Sequence, residues 1–378
     1  MNSLLTAFHA IALEQAVLLR TLLVATCWTA LLALWTRPVP MFAAAVLGMV
    51  SAALVLRAAF PAFLLVNLLA LWVAHRLEVS GHRWRRTVVA LVTLVVLFVI
   101  ARHRGWDVFL LKAGRFELTL FYLDMWMLLR LVVLFWEVGA GRQQAPALVP
   151  FIAWCTNPLF LAGPLFRSSR WPESIGQRRD LLCDAGWWVR IGTGLVMLAG
   201  GIALAAVARS TRVGAVPGPV TKALVLFFLG PLSFYWTIAG AFLFLDALGE
   251  IHGMFVGPSF DRPFFQSNIA DFWARWNMTA TTVFREVLFY NRWGFSKFNP
   301  YVNTMVVFFA VGLWHGSNLY WISFGLLHGC YFCAYLWFRS WSGRTKVAIP
   351  RWSAVLLTYV CVCTAWYLPS KFVGLLFR

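Results

Sequence analysis

The chain has 378 residues, of which 61% are hydrophobic and 12% charged, and its mean hydropathy is +0.75. A soluble globular domain is roughly half apolar and a quarter charged, so this composition excludes a soluble fold. The formal net charge of +18 does not indicate a nucleic-acid partner, because the basic residues form short clusters between apolar runs and leave no basic groove.

The apolar runs predict an all-α, polytopic transmembrane helical bundle. They supply about eight to eleven spans if each span takes roughly 20 residues. No stretch is long enough for a separate soluble domain, so residues 1–378 are interpreted as a single membrane domain. Residues 1–15 lack a basic stretch before the first apolar run, which favours a retained first span over a cleaved signal.

The first third of the chain contains several predicted spans. Three of them cover residues 16–36, 39–56 and 58–74. The Arg-rich segment 76–86 follows and predicts a loop on the cytoplasmic side of the membrane. Residues 87–101 are apolar but short, so this stretch predicts a thin span.

The run from Leu118 to Trp136 is the first apolar stretch with charges inside or beside it. Glu117 and Asp124 are seven residues apart, as are Arg130 and Glu137. Seven residues make two helical turns, so on a helix the members of each pair share a face. We interpret them as ion pairs between helices or contacts with a polar cavity, in preference to catalytic groups.

Residues 155–167 interrupt an apolar run with two prolines and a glycine. Basic residues lie on both sides, at Arg142 and Arg167. A re-entrant or broken helix would let both flanks stay on one side of the membrane, and irregular backbone is tolerated where it lines a cavity. A kinked but continuous span is the alternative.

The remaining sequence alternates between apolar runs and one mixed segment. Residues 246–301 combine charged and amide side chains with dense Trp and Phe, a mixture typical of an interfacial or cavity-lining segment. Further spans are predicted at 191–208, 223–246, 303–314, 318–338 and 352–369.

Two cysteine pairs invite a metal or redox interpretation. Cys330 and Cys333 form one pair, and Cys361 and Cys363 the other. Both pairs lie in apolar runs, where a cysteine is more often a small buried hydrophobe than a ligand. The sequence therefore predicts no metal site.

His315 is the strongest candidate for chemistry. It lies in an apolar run and is followed by Gly316-Ser317-Asn318, which predicts a helix break. A neutral imidazole can occupy such surroundings with one nitrogen paired, and the other nitrogen can then accept a proton from a hydroxyl. Attack of an alcohol on a thioester needs such a base and no metal, because the thiolate is already a good leaving group. A hydrogen-bonded structural histidine is the alternative.

Two further polar residues stand out near His315. His328 follows it by thirteen positions, but the predicted break prevents any inference from helical phase, and a structural role is favoured. Asn277 lies thirty-eight positions before His315, and its amide could stabilise a developing oxyanion or hold a substrate carbonyl. Alone it would be an ordinary polar residue.

These residues fall within an ordered set of motifs. The set runs through Asp261-Arg262-Pro263-Phe264, Phe272-Trp273-Ala274-Arg275-Trp276-Asn277, Phe284-Arg285-Glu286, Gly312-Leu313-Trp314-His315-Gly316 and Gly325-Leu326-Leu327-His328-Gly329, with Ala162-Gly163-Pro164-Leu165-Phe166-Arg167 upstream. The set resembles the membrane-bound O-acyltransferase family, in its bacterial branch related to alginate O-acetylation and teichoic acid D-alanylation. The resemblance covers roughly residues 118–338.

The resemblance implies a helical bundle around a central tunnel, with His315 as the catalytic residue and Asn277 as a second polar residue of the site. Polymer-modifying bacterial members usually carry His at the position of Asn277, whereas lipid- and protein-acylating members often carry Asn. This departure leaves the acceptor open among an envelope glycan, a lipid and a secreted product.

The same resemblance implies a location and substrates. The protein would be a multi-pass protein of the bacterial cytoplasmic membrane that takes an acyl thioester, on coenzyme A or an acyl carrier protein, as co-substrate without a cofactor. Arg275 and Arg285 would hold acidic or phosphate groups, or anchor the chain at the interface. Trp276, Trp314 and His328 would line the substrate site, and an accessory envelope acyltransferase is an expected partner.

A transporter or flippase for a lipid-linked or anionic small molecule is the competing hypothesis. Broken helices and the apolar setting of Asp124 and Arg130 would suit it, although the sequence carries no visible inverted repeat. It predicts movement of substrate without covalent change. A catalytically silent scaffold that docks a partner is a third alternative.

Overall fold

In the computed structural model the described residues are 16–34, 38–103, 108–113, 116–171, 175–176, 178–213, 218–289, 299–345 and 349–376. They form helices α1 (Ala16–Ala33), α2 (Met41–Leu56), α3 (Phe60–Glu78), α4 (Arg83–His103), α5 (Met125–Gly139), α6 (Leu148–Cys155), α7 (Ala185–Val213), α8 (Pro219–Ile251), α9 (Ile269–Arg275), α10 (Met278–Phe284), α11 (Pro300–His315), α12 (Leu319–Thr345) and α13 (Arg351–Leu376). Two strands, β1 (Val108–Ala113) and β2 (Phe116–Tyr122), pair as an antiparallel hairpin.

The predicted all-α, polytopic membrane bundle is confirmed, with the hairpin as an addition. Within the described residues, five helical stretches are long and apolar enough to cross a membrane: Met41–Glu78, which contains both α2 and α3, and Ala185–Ser210, Pro219–Ile251, Leu319–Arg344 and Arg351–Ser370. The protein is therefore a multi-pass membrane protein. The predicted total of about eight to eleven spans stays a prediction, since α1 and other shorter helices fall below that length. The expectation that the first apolar run is retained rests on residues 1–15, which lie outside the described ranges, and stays a prediction.

The first predicted spans agree with the helices. The apolar runs at 39–56 and 58–74 correspond to α2 and α3. A 3₁₀ turn at Arg57–Ala59 separates them, and Arg57 has a left-handed backbone with φ 54°. The short run at 87–101 is part of α4, which begins earlier, among the arginines, and is 21 residues long.

The predicted span from Leu118 to Trp136 is wrong in its first part. Strand β2 covers Phe116–Tyr122, so Glu117 and Asp124 do not share a helical face. Asp124 is instead the N-cap of α5, where its Oδ1 accepts hydrogen bonds from the backbone nitrogens of Trp126 and Met127, both at 2.8 Å. A carboxylate that caps a helix satisfies two of the amide groups that the first turn leaves unpaired.

The chain folds into two compact units. One consists of the described residues up to 195 and of residues 241–257, and the other of the described residues from 196 to 240 and from 258 onward. We call the first the paired unit and the second the motif unit, because the second contains the motifs from Asp261 to Gly329. The single-domain interpretation stays a prediction.

Helix α5 carries two of the buried charged residues of the paired unit. Arg130 and Glu137 lie two turns apart on it and are both buried. Glu137 Oε1 pairs with Arg167 Nη1 at 2.9 Å, and Arg130 Nη1 donates to the Cys155 carbonyl oxygen at 3.2 Å. The interpretation as ion pairing between segments is confirmed for Glu137, with Arg167 as the partner.

The predicted helix break at 155–167 is present. Helix α6 ends at Cys155, and a 3₁₀ turn at Pro158–Phe160 leads into irregular, largely buried backbone. Trp154 Nε1 donates to the Phe166 carbonyl oxygen at 2.9 Å, which closes the segment on itself. Such a segment needs side-chain partners because its backbone lacks a helical ladder.

In the motif unit, α11 packs along α12 through glycines. A Cβ added at Gly312 would lie 2.5 Å from the Trp321 carbonyl oxygen, and one at Gly325 would collide with the Phe308 carbonyl oxygen. A Cβ at Gly329 would lie 2.8 Å from Met305 Sδ. Small residues let two helix backbones approach closely in a membrane protein. The glycines of the two motifs therefore set the spacing between α11 and α12.

The cysteine pairs lie on α12 and α13 as free thiols. The prediction of small buried residues holds for Cys363, whereas Cys333 and Cys361 are half-buried and Cys330 is exposed. The prediction is thus wrong for Cys330, because its apolar run is a helix with one outward face. Within the described residues, no group of three or more His, Cys, Asp or Glu side chains could hold a metal ion.

Candidate active site

The helix break predicted after His315 is present and well defined. Helix α11 ends at His315, and the Gly316 nitrogen donates to the Gly312 carbonyl oxygen at 3.0 Å. The next helix is capped by Asn318, whose Oδ1 accepts from the Trp321 nitrogen at 3.1 Å. His315 is thus the last residue of α11, directly before the break that separates α11 from α12, and it does not lie in the middle of a helix.

Aromatic rings surround the His315 imidazole. Trp321 stacks on it, with ring centroids 4.8 Å apart and an interplanar angle of 20°. Trp314 lies 4.6 Å away at 51°, and Phe324 lies 5.9 Å away edge to face. The imidazole is nevertheless only half-buried. It is therefore oriented by its neighbours and not sealed from outside.

His328 has a different environment. Its side chain is 1% exposed and is packed against Phe324 at 4.5 Å and Trp273 at 4.9 Å, both edge to face. Among the described residues nothing forms a hydrogen bond with its Nδ1. Phe324 contacts both imidazoles, so the structure brings His315 and His328 against the same ring. A role in substrate binding stays a prediction for His328.

Asn277 lies at the start of α10 with an unusual backbone. Its φ of 43° is in the left-handed region, which costs most residues about 1–2 kcal/mol but which Asn tolerates better. Two hydrogen bonds fix this turn: the Thr281 nitrogen donates to the Asn277 carbonyl oxygen at 2.9 Å, and the Met278 nitrogen donates to the Ser259 carbonyl oxygen at 2.8 Å. The side chain is buried, and no described residue forms a hydrogen bond with its Oδ1. The turn therefore holds a buried acceptor oxygen that the described part of the protein does not use.

Trp276 is the centre of an aromatic cluster beside Asn277. Its ring contacts Phe234, Tyr235, Phe260, Phe264 and Phe272, with centroid distances from 5.3 to 6.3 Å. Phe272 also stacks against His328 at 6.5 Å. A continuous set of ring contacts therefore connects the neighbour of Asn277 with the two imidazoles.

Trp314 connects α11 with the end of α10. It is buried, and its ring lies 5.6 Å from Phe284, the last residue of α10. Helix α10 thus begins at Asn277 and ends against the tryptophan that precedes His315. Trp276 directly precedes Asn277 and Trp314 directly precedes His315, and their predicted contact with substrate stays a prediction.

The two candidate arginines differ. Arg275 Nε pairs with Asp261 Oδ2 at 3.1 Å, and Arg275 Nη1 donates to Gln266 Oε1 at 3.2 Å. It thereby braces the loop that precedes α9. Arg285 is exposed, and no described residue pairs with it. Of the two, Arg285 has its guanidinium open to a ligand.

Sequence reasoning missed Trp321 and Phe324. A usable signal was present, because residues 321, 324 and 328 are spaced by three and four positions and therefore share a helical face. Since His328 is a candidate from the sequence, its helix neighbours on that face were the residues to consider with it. Sequence reasoning also missed Asp261, whose motif position did not reveal its partner Arg275 fourteen residues later.

The fold and the site together define a multi-pass helical membrane protein with an imidazole at a helix break. No family model matches the chain. Curated relatives do match part of it. The teichoic acid D-alanyltransferase of Bacillus subtilis is 28% identical over 153 residues, which are 36% of this chain and 38% of that protein.

Two further relatives modify other polymers by name. The probable alginate O-acetylase AlgI of Pseudomonas putida is 32% identical over 107 residues, covering 27% of this chain and 22% of the relative. The peptidoglycan O-acetyltransferase of Helicobacter pylori is 30% identical over 110 residues, covering 29% and 21%. The chain thus matches less than two fifths of the length of these relatives. The predicted resemblance to the bacterial branch of the membrane-bound O-acyltransferases is confirmed.

Proposed function

We propose that the protein is an O-acyltransferase that moves an acyl group from a thioester to a hydroxyl of a cell-envelope acceptor. A His315 nitrogen takes the hydroxyl proton while the alcohol oxygen attacks the thioester carbonyl carbon. The C–S bond then breaks, the proton passes to the departing sulfur, and the products are an ester and a thiol. General-base help of this kind contributes about 10²- to 10⁴-fold in rate.

The observation that carries the proposal is the setting of His315. Its ring lies at a helix break, is fixed by aromatic neighbours and is only half-buried. An ionisable group in a membrane-embedded helical unit is costly and usually has a function. A purely structural histidine would be expected to resemble His328, which is enclosed by rings.

Asn277 supplies the second polar group. Its unused Oδ1 can accept a hydrogen bond from the acceptor hydroxyl, and its amide nitrogen can donate to an oxyanion. The left-handed turn holds this side chain at the start of α10 at a cost in backbone energy. Strain of this kind recurs at functional sites, and here it accompanies a motif residue.

The names of the relatives support an envelope acceptor, and the thioester donor is proposed from the family resemblance and from charge. The acyl donor would be a thioester of coenzyme A or of an acyl carrier protein, reached from the cytoplasmic side of a bacterial inner membrane. The exposed guanidinium of Arg285 suits a phosphate of such a donor. The acceptor would be a glycan, a lipid or a secreted product, with an accessory envelope acyltransferase as a partner.

The test uses two kinds of measurement. Mass spectrometry of envelope glycans and lipids, from cells with and without the protein, identifies a transferred group by its mass. Purified protein in lipid vesicles is then assayed with ¹⁴C-acetyl-coenzyme A or with ¹⁴C-acetyl-acyl carrier protein and the identified acceptor.

Three variants decide the outcome of that assay. His315→Ala is expected to lose at least about 100-fold in rate, because the base is removed, and Asn277→Ala should lose less. His75→Ala removes an exposed imidazole from the paired unit and should leave the rate unchanged. Full transfer by folded His315→Ala protein would overturn the proposal. Vesicle uptake of unmodified substrate, without thioester consumption, would favour the transporter alternative.

A further inference from the structure

We propose that Trp321 is a positioning residue for His315, which holds the imidazole by stacking and stabilises it when it becomes an imidazolium. The inference rests on the proposed function, since it assigns the residue through which the base of that reaction is oriented. Trp321 belongs to none of the motifs that carry the family resemblance.

The stacking geometry places the contact on the ring face. The two ring planes are inclined by 20°, and their centroids are 4.8 Å apart. Both imidazole nitrogens lie on the rim of the ring, with their lone pair or N–H in the ring plane. A tryptophan on the face therefore restricts rotation of the imidazole and leaves the reacting edge open.

Gly316 makes room for this contact. A Cβ at residue 316 would collide with the Trp321 ring carbon Cδ1, and it would lie 3.1 Å from Nε1. The φ of Gly316 is 173°, an extended backbone that any residue adopts, so the glycine is required for space and not for conformation. The glycine after His315 is thus explained by the indole that lies on His315.

The residue that carries the indole is itself held in place. The backbone nitrogen of Trp321 donates to Asn318 Oδ1, and its backbone carbonyl oxygen faces Gly312 across the close contact with α11. On the other side its ring meets Trp366 of α13 at 6.2 Å, edge to face. Three helices therefore fix the plane on which the imidazole rests, so that the orientation of His315 does not depend on its own rotamer alone.

The contact acts most strongly when His315 carries a proton. The face of an indole is electron-rich and attracts a cation, and this attraction is strongest in surroundings with little water. Neutral imidazole gains little from it, whereas the imidazolium formed as the alcohol attacks gains more. An interaction made mainly in the transition state lowers kcat when it is removed and leaves KM nearly unchanged.

The experiment compares three substitutions in vesicles, with the ¹⁴C-acetyl thioester and the acceptor that the envelope measurements identify. Trp321→Ala is expected to lower kcat about tenfold with KM changed less than about twofold. Trp321→Leu fills space without a π face and should lose nearly as much, whereas Trp321→Phe keeps a stacking ring and should retain most of the rate. Trp337→Ala, which removes an exposed tryptophan from the same helix, is the control and should match wild type.

Failure of the inference is distinguishable from failure of the proposed function. Equal kcat for Trp321→Leu and Trp321→Phe would overturn the stacking role, even while His315→Ala is inactive. Full activity of His315→Ala would overturn the function itself. If Trp321→Ala does not fold, the Leu and Phe variants carry the test.

A second readout does not depend on turnover. Diethyl pyrocarbonate modifies accessible imidazoles, and peptide mass spectrometry resolves His315 from the other histidines. Removing the stacking ring in Trp321→Leu frees the imidazole to rotate, so the rate of His315 modification should rise at least about threefold over Trp321→Phe. An unchanged rate would show that the ring does not hold the imidazole in place and would contradict the proposal.

Discussion

The two compact units differ in the polar side chains that they bury and in the partners of those side chains. In the paired unit, Glu137 binds Arg167, Arg190 binds Glu250, and the Asp246 carboxylate accepts from the Val256 nitrogen at 3.0 Å. In the motif unit, no described residue forms a hydrogen bond with Asn277 Oδ1, His328 Nδ1, Trp273 Nε1 or Ser259 Oγ. The paired unit also buries neutral groups without such a bond among the described residues, among them Trp28 Nε1, Thr29 Oγ1 and both nitrogens of His252.

The units differ in buried charge, since the described residues that are both charged and buried, Arg130, Glu137 and Asp246, all lie in the paired unit. A buried charge without a partner is very costly. Glu137 accordingly pairs with Arg167, and Arg130 donates to the Cys155 carbonyl oxygen at the start of the broken segment. A neutral amide or imidazole costs less to leave unpaired, and aromatic walls can hold it in place. The motif unit therefore keeps neutral polar groups in a rigid apolar frame. Substitutions in both units test this division, and they follow in order of decreasing effect.

Breaking the Glu137–Arg167 pair should have the largest effect. Glu137→Ala leaves a half-buried guanidinium without its carboxylate and should lower the free energy of unfolding by about 3–5 kcal/mol. Thermal unfolding in detergent, followed by Trp fluorescence, measures the change. Asp180→Ala, which breaks the exposed pair with Arg178, is the matched control and should change stability by less than about 1 kcal/mol. Equal stability of the two variants would refute the division.

Closing the glycine contact in the motif unit should come next. In Gly325→Ala the new Cβ meets backbone atoms of α11, which cannot rotate away, so we expect a loss of about 1–3 kcal/mol. Gly343→Ala lies on the same helix with nothing within 4 Å of the added Cβ and should be neutral or slightly stabilising. If the two variants unfold at the same temperature, the close approach of α11 and α12 does not matter for stability.

Substitutions at Asn277 distinguish the effect of backbone strain on stability from the effect of the amide on activity. Asn277→Gly relieves the left-handed backbone and should keep or raise stability, yet it removes the amide and should lower transfer about 10- to 100-fold. Asn277→Ala should lose activity equally and cost about 1–2 kcal/mol of stability as well. Activity is measured in the vesicle assay and stability by thermal unfolding. An active Asn277→Gly protein would make the residue structural only.

The Arg275–Asp261 pair should give the smallest effect. Both side chains are partly exposed, so a double-mutant cycle with Arg275→Gln and Asp261→Asn should give a coupling below about 1 kcal/mol. Arg285→Gln should instead leave stability unchanged and raise KM for acetyl-coenzyme A a few-fold. A larger rise in KM for Arg275→Gln would reverse the roles assigned to the two arginines.

Much of the fold could be predicted from the sequence because membrane spans and helix breaks are local. Apolar length predicted α2 and α3, and Gly316-Ser317-Asn318 predicted the end of α11. The hairpin was missed because residues 116–122 are nearly as apolar as a helix that follows them, and a short apolar run does not reveal its period.

Candidate site residues could be chosen from the sequence, but their contacts could not be predicted from it. His315 and Asn277 stand out as polar groups in apolar motifs. The stacking of Trp321, the pairing of Arg275 with Asp261 and the left-handed turn at Asn277 depend on how separate segments meet. The periodicity of a sequence shows which residues share one face of a helix, but it does not show which other segment packs against that face.

The contact between α11 and α12 also limits how this protein could be re-engineered. The backbones of the two helices approach closely at Gly312 and Gly325, so any side chain at either position would collide with backbone atoms. The two glycines should therefore be kept, and the two helices should be transferred together. A change in substrate selectivity would have to come from substitutions of aromatic side chains near His315, such as Phe324→Leu or Trp314→Phe, which leave the helix backbones in place. Chimeras between relatives should accordingly be joined before residue 300 or after residue 345, and never between the two helices.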